Sequence, residues 1–168
     1  MFSNKRTLIV INNHGNEFTS VGSIRKWVND RCSVTIALTK KMDNDYAGFS
    51  ALNSMVQDVA SLVSATLIIE SGLKGIVEKL NPQIIITTQL SPSFDPNGTI
   101  QEVLLADKPL TWDRKRGIIP SAYVDIKDTQ DTKLDVYRKY GRKPNWHNWG
   151  EAVKIDCAEA FESIYRIG

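Results

Sequence analysis

Thr7-Leu8-Ile9-Val10-Ile11 is a short β-branched run that empties into Asn12-Asn13-His14-Gly15-Asn16-Glu17, and a helical pattern follows. Ile24, Trp27 and Val28 stand at i, i+3 and i+4, with Ser20 or Ser23 available as a cap. Residues 33–38 then alternate polar and apolar with a period of two, as a strand does. Strand, helix and strand in that order predict a right-handed crossover between parallel neighbours of one sheet. In open α/β sheets ligands bind outside the carboxyl ends of the strands, so the turn at residues 12–17 is the first place to expect chemistry.

The rest of the chain extends this pattern. Residues 40–50 read as a polar loop, and Leu52, Met55, Val56, Val59, Leu62 and Val63 keep a helical period from near Ala51. The apolar positions continue through Leu67, Leu73, Ile76, Val77 and Leu80. That stripe favours helix for most of residues 65–80, bent near Ser71-Gly72, with a short strand at 65–69 as the alternative. Asn81-Pro82 ends it, and the uncharged residues 83–88 predict a central strand. A short helix is expected at 100–106 and strands at 109–112 and 122–126. A terminal amphipathic helix is expected over 149–166, on Val153, Cys157, Ala160, Phe161 and Ile164. With 168 residues, 42% of them hydrophobic, the chain can bury the core of one domain. The expected fold is a single three-layer α/β domain over 1–168, flavodoxin- or Rossmann-like, with a mainly parallel sheet.

Several classes are disfavoured. The first six residues are polar and basic, and the five-residue apolar run after them is too short for a signal peptide. Residues 62–69 are interrupted by Ser64 and Thr66 and fall far below the roughly 20 residues of a spanning helix, so a cytoplasmic protein with no membrane partner is expected. Cys32 and Cys157 have no CxxC spacing, which suggests packed, reduced thiols rather than a zinc site or a disulfide framework. With His14 and His147 the only histidines, a metal site would rest on carboxylates, and none can be assembled. Asp43 and Asp45 beside Tyr46 do not make a calcium loop. No metal is predicted, and no cofactor is assigned. GxGxxG, GxxxxGK[ST] and GxSxG motifs are missing.

Three regions carry candidate chemistry. Asn12, Asn13, His14, Asn16 and Glu17 could hold a phosphate or sugar at a helix start while His14 or Glu17 moves a proton; ordinary turn chemistry is the plainer reading. Residues 89–99 follow the central strand and would meet that turn if the two strands are neighbours. They offer Asp95 as acid/base or ribose ligand and Ser91, Ser93 and Thr99 as hydrogen bonders. The third region interleaves bases and aromatics: Trp112, Arg114, Lys115 and Arg116, then residues 137–143, then Trp146, His147 and Trp149. The net charge is only +2, yet residues 107–143 hold 10 Lys/Arg against 6 Asp/Glu. Asp125, Asp128, Asp131 and Asp135 dilute that field.

Residues 8–13 with Phe18-Thr19, and Ile84-Ile85-Ile86 through Lys108-Pro109-Leu110, resemble the strand order of class I glutamine amidotransferase domains. That family needs a cysteine nucleophile where this chain has Thr111-Trp112-Asp113-Arg114-Lys115. The resemblance therefore implies a flavodoxin-like fold and no amidotransferase activity.

The leading expectation is an enzyme acting on a nucleotide, nucleoside or related phosphorylated small molecule, by transfer or hydrolysis. Asn12, Asn13, His14 and Asn16 would hold and polarise substrate, with Ser91, Ser93 and Trp112 beside them. Asp95 or Glu17 would serve as acid/base, and Arg114 or Arg116 would neutralise phosphate. The alternatives are a nucleic-acid-binding module across 112–149, using Trp112, Arg114, Lys115, Arg116, Tyr140 and Arg142, and a protein-interaction subunit anchored by Trp146 and Trp149.

Overall fold

Ile84, Ile85 and Ile86 are uncharged, β-branched and buried, and a strand with that composition is stable only where both of its faces are covered. In the computed structural model, which describes residues 7–12, 20–39, 57–70, 73–87, 100–106, 121–139 and 157–166, they form the fourth strand of the sheet. The described elements are β1 (Thr7–Asn12), α1 (Val21–Asn29), β2 (Ser33–Thr39), α2 (residues 57–63), β3 (Thr66–Glu70) and α3 (Leu73–Leu80). After them come β4 (Ile84–Thr87), β5 (Glu102–Ala106), β6 (Ala122–Asp125), α4 (Gln130–Lys139) and β7 (Ala158–Arg166).

The strands lie in the order β3-β2-β1-β4-β5-β7-β6. β1 through β5 are parallel, with Leu8 beside Val34 on one flank and Ile84 on the other. β7 runs antiparallel to β5, and β6 antiparallel to β7. The opening β1-α1-β2 unit is as the sequence predicts. The three-layer α/β arrangement and a mainly parallel sheet are also present; the antiparallel β6 and β7 make the sheet mixed, which corrects the flavodoxin- or Rossmann-like expectation.

Alternation along the strands separates two cores. Val34, Ile36, Ile84, Ile86, Leu104 and Phe161 face α1, α2 and α4, which contribute Val21, Ile24, Val59, Val63 and Val136. Ala37, Ile85 and Val103 face the opposite way, toward Ile76 of α3.

Three helices end on a residue other than glycine in the left-handed region: Arg31 (φ 65°), Ser64 (φ 60°) and Asn81 (φ 44°). After α2, the Ser64 N–H donates to the Ser61 carbonyl at 3.2 Å and the Ala65 N–H to that of Ala60 at 2.9 Å. Arg31 and Cys32 donate in the same way to Val28 and Trp27. This paired closure satisfies the last carbonyls of a helix, and at a residue bearing a Cβ the left-handed turn costs about 1–2 kcal/mol. Ser64 thus stops α2 where no glycine marks the stop, and residues 66–70 form a strand instead of the favoured helix. The β-branched Thr66, Ile68 and Ile69 fit that outcome.

Two other expectations are overturned. Residues 102–106 form β5, not a short helix, because Val103, Leu104 and Leu105 are buried on both faces of the sheet. Residues 158–166 form β7, not the end of a terminal helix. The register between β5 and β7 slips between Val103 and Leu104, opposite Ser163 and Tyr165, so Ile164 is an extra residue in the ladder. Phe161 packs on one face of the sheet, Ile164 and Tyr165 on the other. Burial on both faces therefore mimics a helical stripe. The possible strand at 109–112 lies outside the described residues.

Candidate functional site

The strand order fixes where a site belongs. From β1 the chain moves by way of β2 to β3 on one side, then returns to β4 and continues to β5 on the other. The order reverses between β1 and β4, and the carboxyl edge at such a reversal is the crevice where open α/β sheets bind ligands. β1 and β4 are direct parallel neighbours, with Val10 beside Ile86. The condition for the two polar loops to leave from adjacent strands is therefore met. Residues 13–19 follow β1, 88–99 follow β4 and 107–120 follow β5, all from the same edge.

Asn12 is the last residue of β1, paired with Leu38 of β2. Asn13, His14, Asn16, Glu17, Ser91, Ser93, Asp95, Trp112, Arg114 and Arg116 lie outside the described residues, as do Lys115, Tyr140, Arg142, Trp146, His147 and Trp149.

A feature the sequence did not announce stands at the same edge. β7 begins there, since Ala158 opposes Asp125 at the end of β6 and Phe161 opposes Ala106 at the end of β5. The Glu159 carboxylate reaches the first turn of α1, where it accepts the Gly22 N–H at 3.1 Å, the Ser23 N–H at 2.8 Å and the Ser23 hydroxyl. Lys133 of α4 donates to it at 2.6 Å. The two side chains are 4% and 11% exposed, so this is a buried ion pair. A carboxylate suits a helix start, where unsatisfied N–H groups and the helix dipole favour negative charge. Ser20 occupies the N-cap position but makes no capping bond, and its buried hydroxyl has no partner among the described residues. Glu159 has taken the donors a cap would serve, which corrects the expected Ser20 or Ser23 cap.

The turn is gripped from a second direction. Thr129 donates its hydroxyl to the Gly22 carbonyl at 2.7 Å. A Cβ on Gly22 would meet three atoms of the buried Ile126 side chain at 2.8–3.0 Å. Gly22→Ala is therefore expected to destabilise the protein by about 1–3 kcal/mol, read by urea unfolding. Trimming Ile126 to Ala in the same chain should recover part of that loss, and strictly additive effects would show that the two residues do not collide.

Nearby, burial pushes the Cys157 thiol up; Lys133 opposes that shift, while Glu159 and Asp125 add to it. Such a thiol is protonated at neutral pH and is a poor nucleophile. Both cysteines are free. Among the described residues no three His, Cys, Asp or Glu side chains gather as a metal site, and no helix is long and apolar enough to cross a membrane.

These contacts bear on the expected nucleotide chemistry. Anion binding at α1 needs its first-turn N–H groups, and those of Gly22 and Ser23 are already held by a carboxylate of the chain itself. In the described part of 112–149, burial against Glu159 takes Lys133 away from any nucleic-acid surface, whereas Arg138, 3.6 Å from Asp135, and Lys139, 3.5 Å from Asp58, stay exposed.

No family model and no curated protein matches this chain. Solved structures do. An N,N'-diacetylchitobiose deacetylase from Pyrococcus horikoshii superposes with a TM-score of 0.62 at 14% identity, covering 95% of this chain and 84% of that one. The 4-carboxy-2-hydroxymuconate hydratase of Pseudomonas putida KT2440 gives 0.69 at 11% identity, covering 97% and 98%. A teicoplanin deacetylase in its zinc-inhibited form gives 0.65 at 8%, covering 94% and 97%. At such identities the likeness shows a shared fold. The fold is that of deacetylases and a hydratase, and together with the occupied start of α1 it overturns the expected nucleotide or nucleoside enzyme. The nucleic-acid-binding and protein-interaction alternatives, with their partners, are set aside with it.

Proposed function

We propose that this protein is a hydrolase that removes an acetyl group from an N-acetylated amine of a sugar or peptide, at the carboxyl edge between β1 and β4. One observation carries the reading: the sheet's order reverses at the point where β1 delivers the turn containing His14 and Glu17, in a frame shared with deacetylases along nearly its whole length. The hydratase fits the same logic, because both reaction types require an activated water.

In this reading Glu17 accepts a proton from water as the oxygen adds to the amide carbonyl. His14 and the amides of Asn12, Asn13 and Asn16 donate hydrogen bonds to the carbonyl oxygen as it becomes an oxyanion. The carbon–nitrogen bond then breaks, the proton passes to the departing nitrogen, and acetate and a free amine remain. Asp95, in the segment that follows β4, is suited to hold a substrate hydroxyl together with Ser91 and Ser93.

The test is a panel of N-acetylglucosamine, N,N'-diacetylchitobiose and an acetylated peptide, assayed with and without chelator and with added divalent cations. Free amine and acetate are quantified separately. At least one class should release the two in equal amounts. Absence of both products across the whole panel and all metal conditions would overturn the reading.

A further inference from the structure

We infer that Glu159, with Lys133 and Ser23, is a positioning group that fixes where the chain re-enters α1 after residues 13–19, and so where His14 and Glu17 stand. The identity of the reacting residues rests on the function proposed above; the clamp itself rests on the described geometry.

The described chain on either side of residues 13–19 is fixed at two points. At one end Asn12 is paired with Leu38 in the sheet; at the other the helix opens with the Ile24 N–H donating to the Ser20 carbonyl at 2.8 Å. The position of that second tether is set from β7 and α4, because Glu159 holds the Gly22 and Ser23 N–H groups and Lys133 holds Glu159. Thr129 and Ile126 grip Gly22 as well.

The missing capping bond of Ser20 separates this arrangement from simple capping. A serine at the N-cap serves the same donors at no electrostatic cost. Here the donors are given instead to a charge more than 130 positions away, which takes two ions out of water. Buried ion pairs are poor stabilisers relative to apolar packing, and their best-attested use is to enforce one geometry. The geometry enforced here is that of the α1 start against the carboxyl edge.

The experiment compares Glu159→Gln, Lys133→Met and Ser23→Ala with Ile76→Ala, a core truncation on the opposite face of the sheet. Two readouts are taken, kcat and KM for the panel substrate and the titration of His14 by NMR, which is accessible because the chain has only two histidines. Glu159→Gln and Lys133→Met change the local charge in opposite senses, yet both should lower kcat by about tenfold or more while KM moves little, as misplacement of reacting groups does. Both should also displace the His14 titration. Ile76→Ala should leave both readouts near wild type at a comparable loss of thermal midpoint. Unchanged kcat and His14 titration in the folded clamp variants, or equal changes in Ile76→Ala, would overturn the inference. If Glu159→Gln does not fold, Lys133→Met and Ser23→Ala decide it. If the wild type releases no acetate from any substrate, the functional reading fails and the His14 titration alone judges the clamp.

Discussion

Glu17→Gln is expected to lower kcat for acetate release by about 10²- to 10⁴-fold while KM changes little, the pattern of a lost proton acceptor. Glutamine keeps the size and hydrogen-bonding reach of the side chain and removes only its ability to take a proton from water. His14→Ala should fall in the same range, because an oxyanion donor acts mainly in the transition state. The two effects should not add in the double variant if the residues work on one water and one carbonyl. Initial rates on the panel substrate check this. Wild-type rates in both single variants would remove the 12–17 turn from the chemistry and leave Asp95 as the carboxylate to examine.

The second large effect concerns stability. Glu159→Ala should destabilise the protein by about 3–5 kcal/mol, the usual cost of breaking a buried ion pair from one side. Lys133 would keep a charge at 11% exposure without its partner, and the Gly22 and Ser23 N–H groups would lose their acceptor. Against a total stability of about 5–15 kcal/mol this is a large fraction. Urea unfolding monitored by circular dichroism measures it. Replacing both ions, as in Glu159→Leu with Lys133→Met, should recover only part of the loss, since apolar side chains cannot accept the two N–H groups. A loss below about 1 kcal/mol in Glu159→Ala would mean that water serves the helix start as well as the carboxylate does.

The central part of the fold was readable because its signals are local. Residues 7–11 and 83–88 are uncharged runs, and Ile24, Trp27 and Val28 keep a helical period, so β1, β4 and α1 follow directly. The stop at Ser64 was hidden because a serine in the left-handed region carries no sequence mark. β7 was hidden because a strand buried on both faces, with an extra residue at Ile164, presents the spacing of a helix. α4 has few apolar residues, with only Lys133 and Val136 buried, so its packing face carries little sequence signal. At the site, the crevice between β1 and β4 was anticipated from the sequence as a conditional. Glu159 was not, because nothing near position 159 indicates that its carboxylate serves residues 22 and 23.

That separation bears on how the molecule comes together. Gly22 and Glu159 are 137 positions apart, so on a ribosome β1 and α1 emerge well before the residue that completes the start of α1. Until β7 inserts between β5 and β6, the Gly22 and Ser23 N–H groups lack the carboxylate that holds them in the folded protein. Closing a loop of that length costs little more entropy than closing one of half the length, but it cannot happen before the strand exists. The turn at residues 12–17 is thus translated well before the strand that anchors α1, and a chain stalled or clipped ahead of β7 would carry every residue of the turn without the group that sets its place.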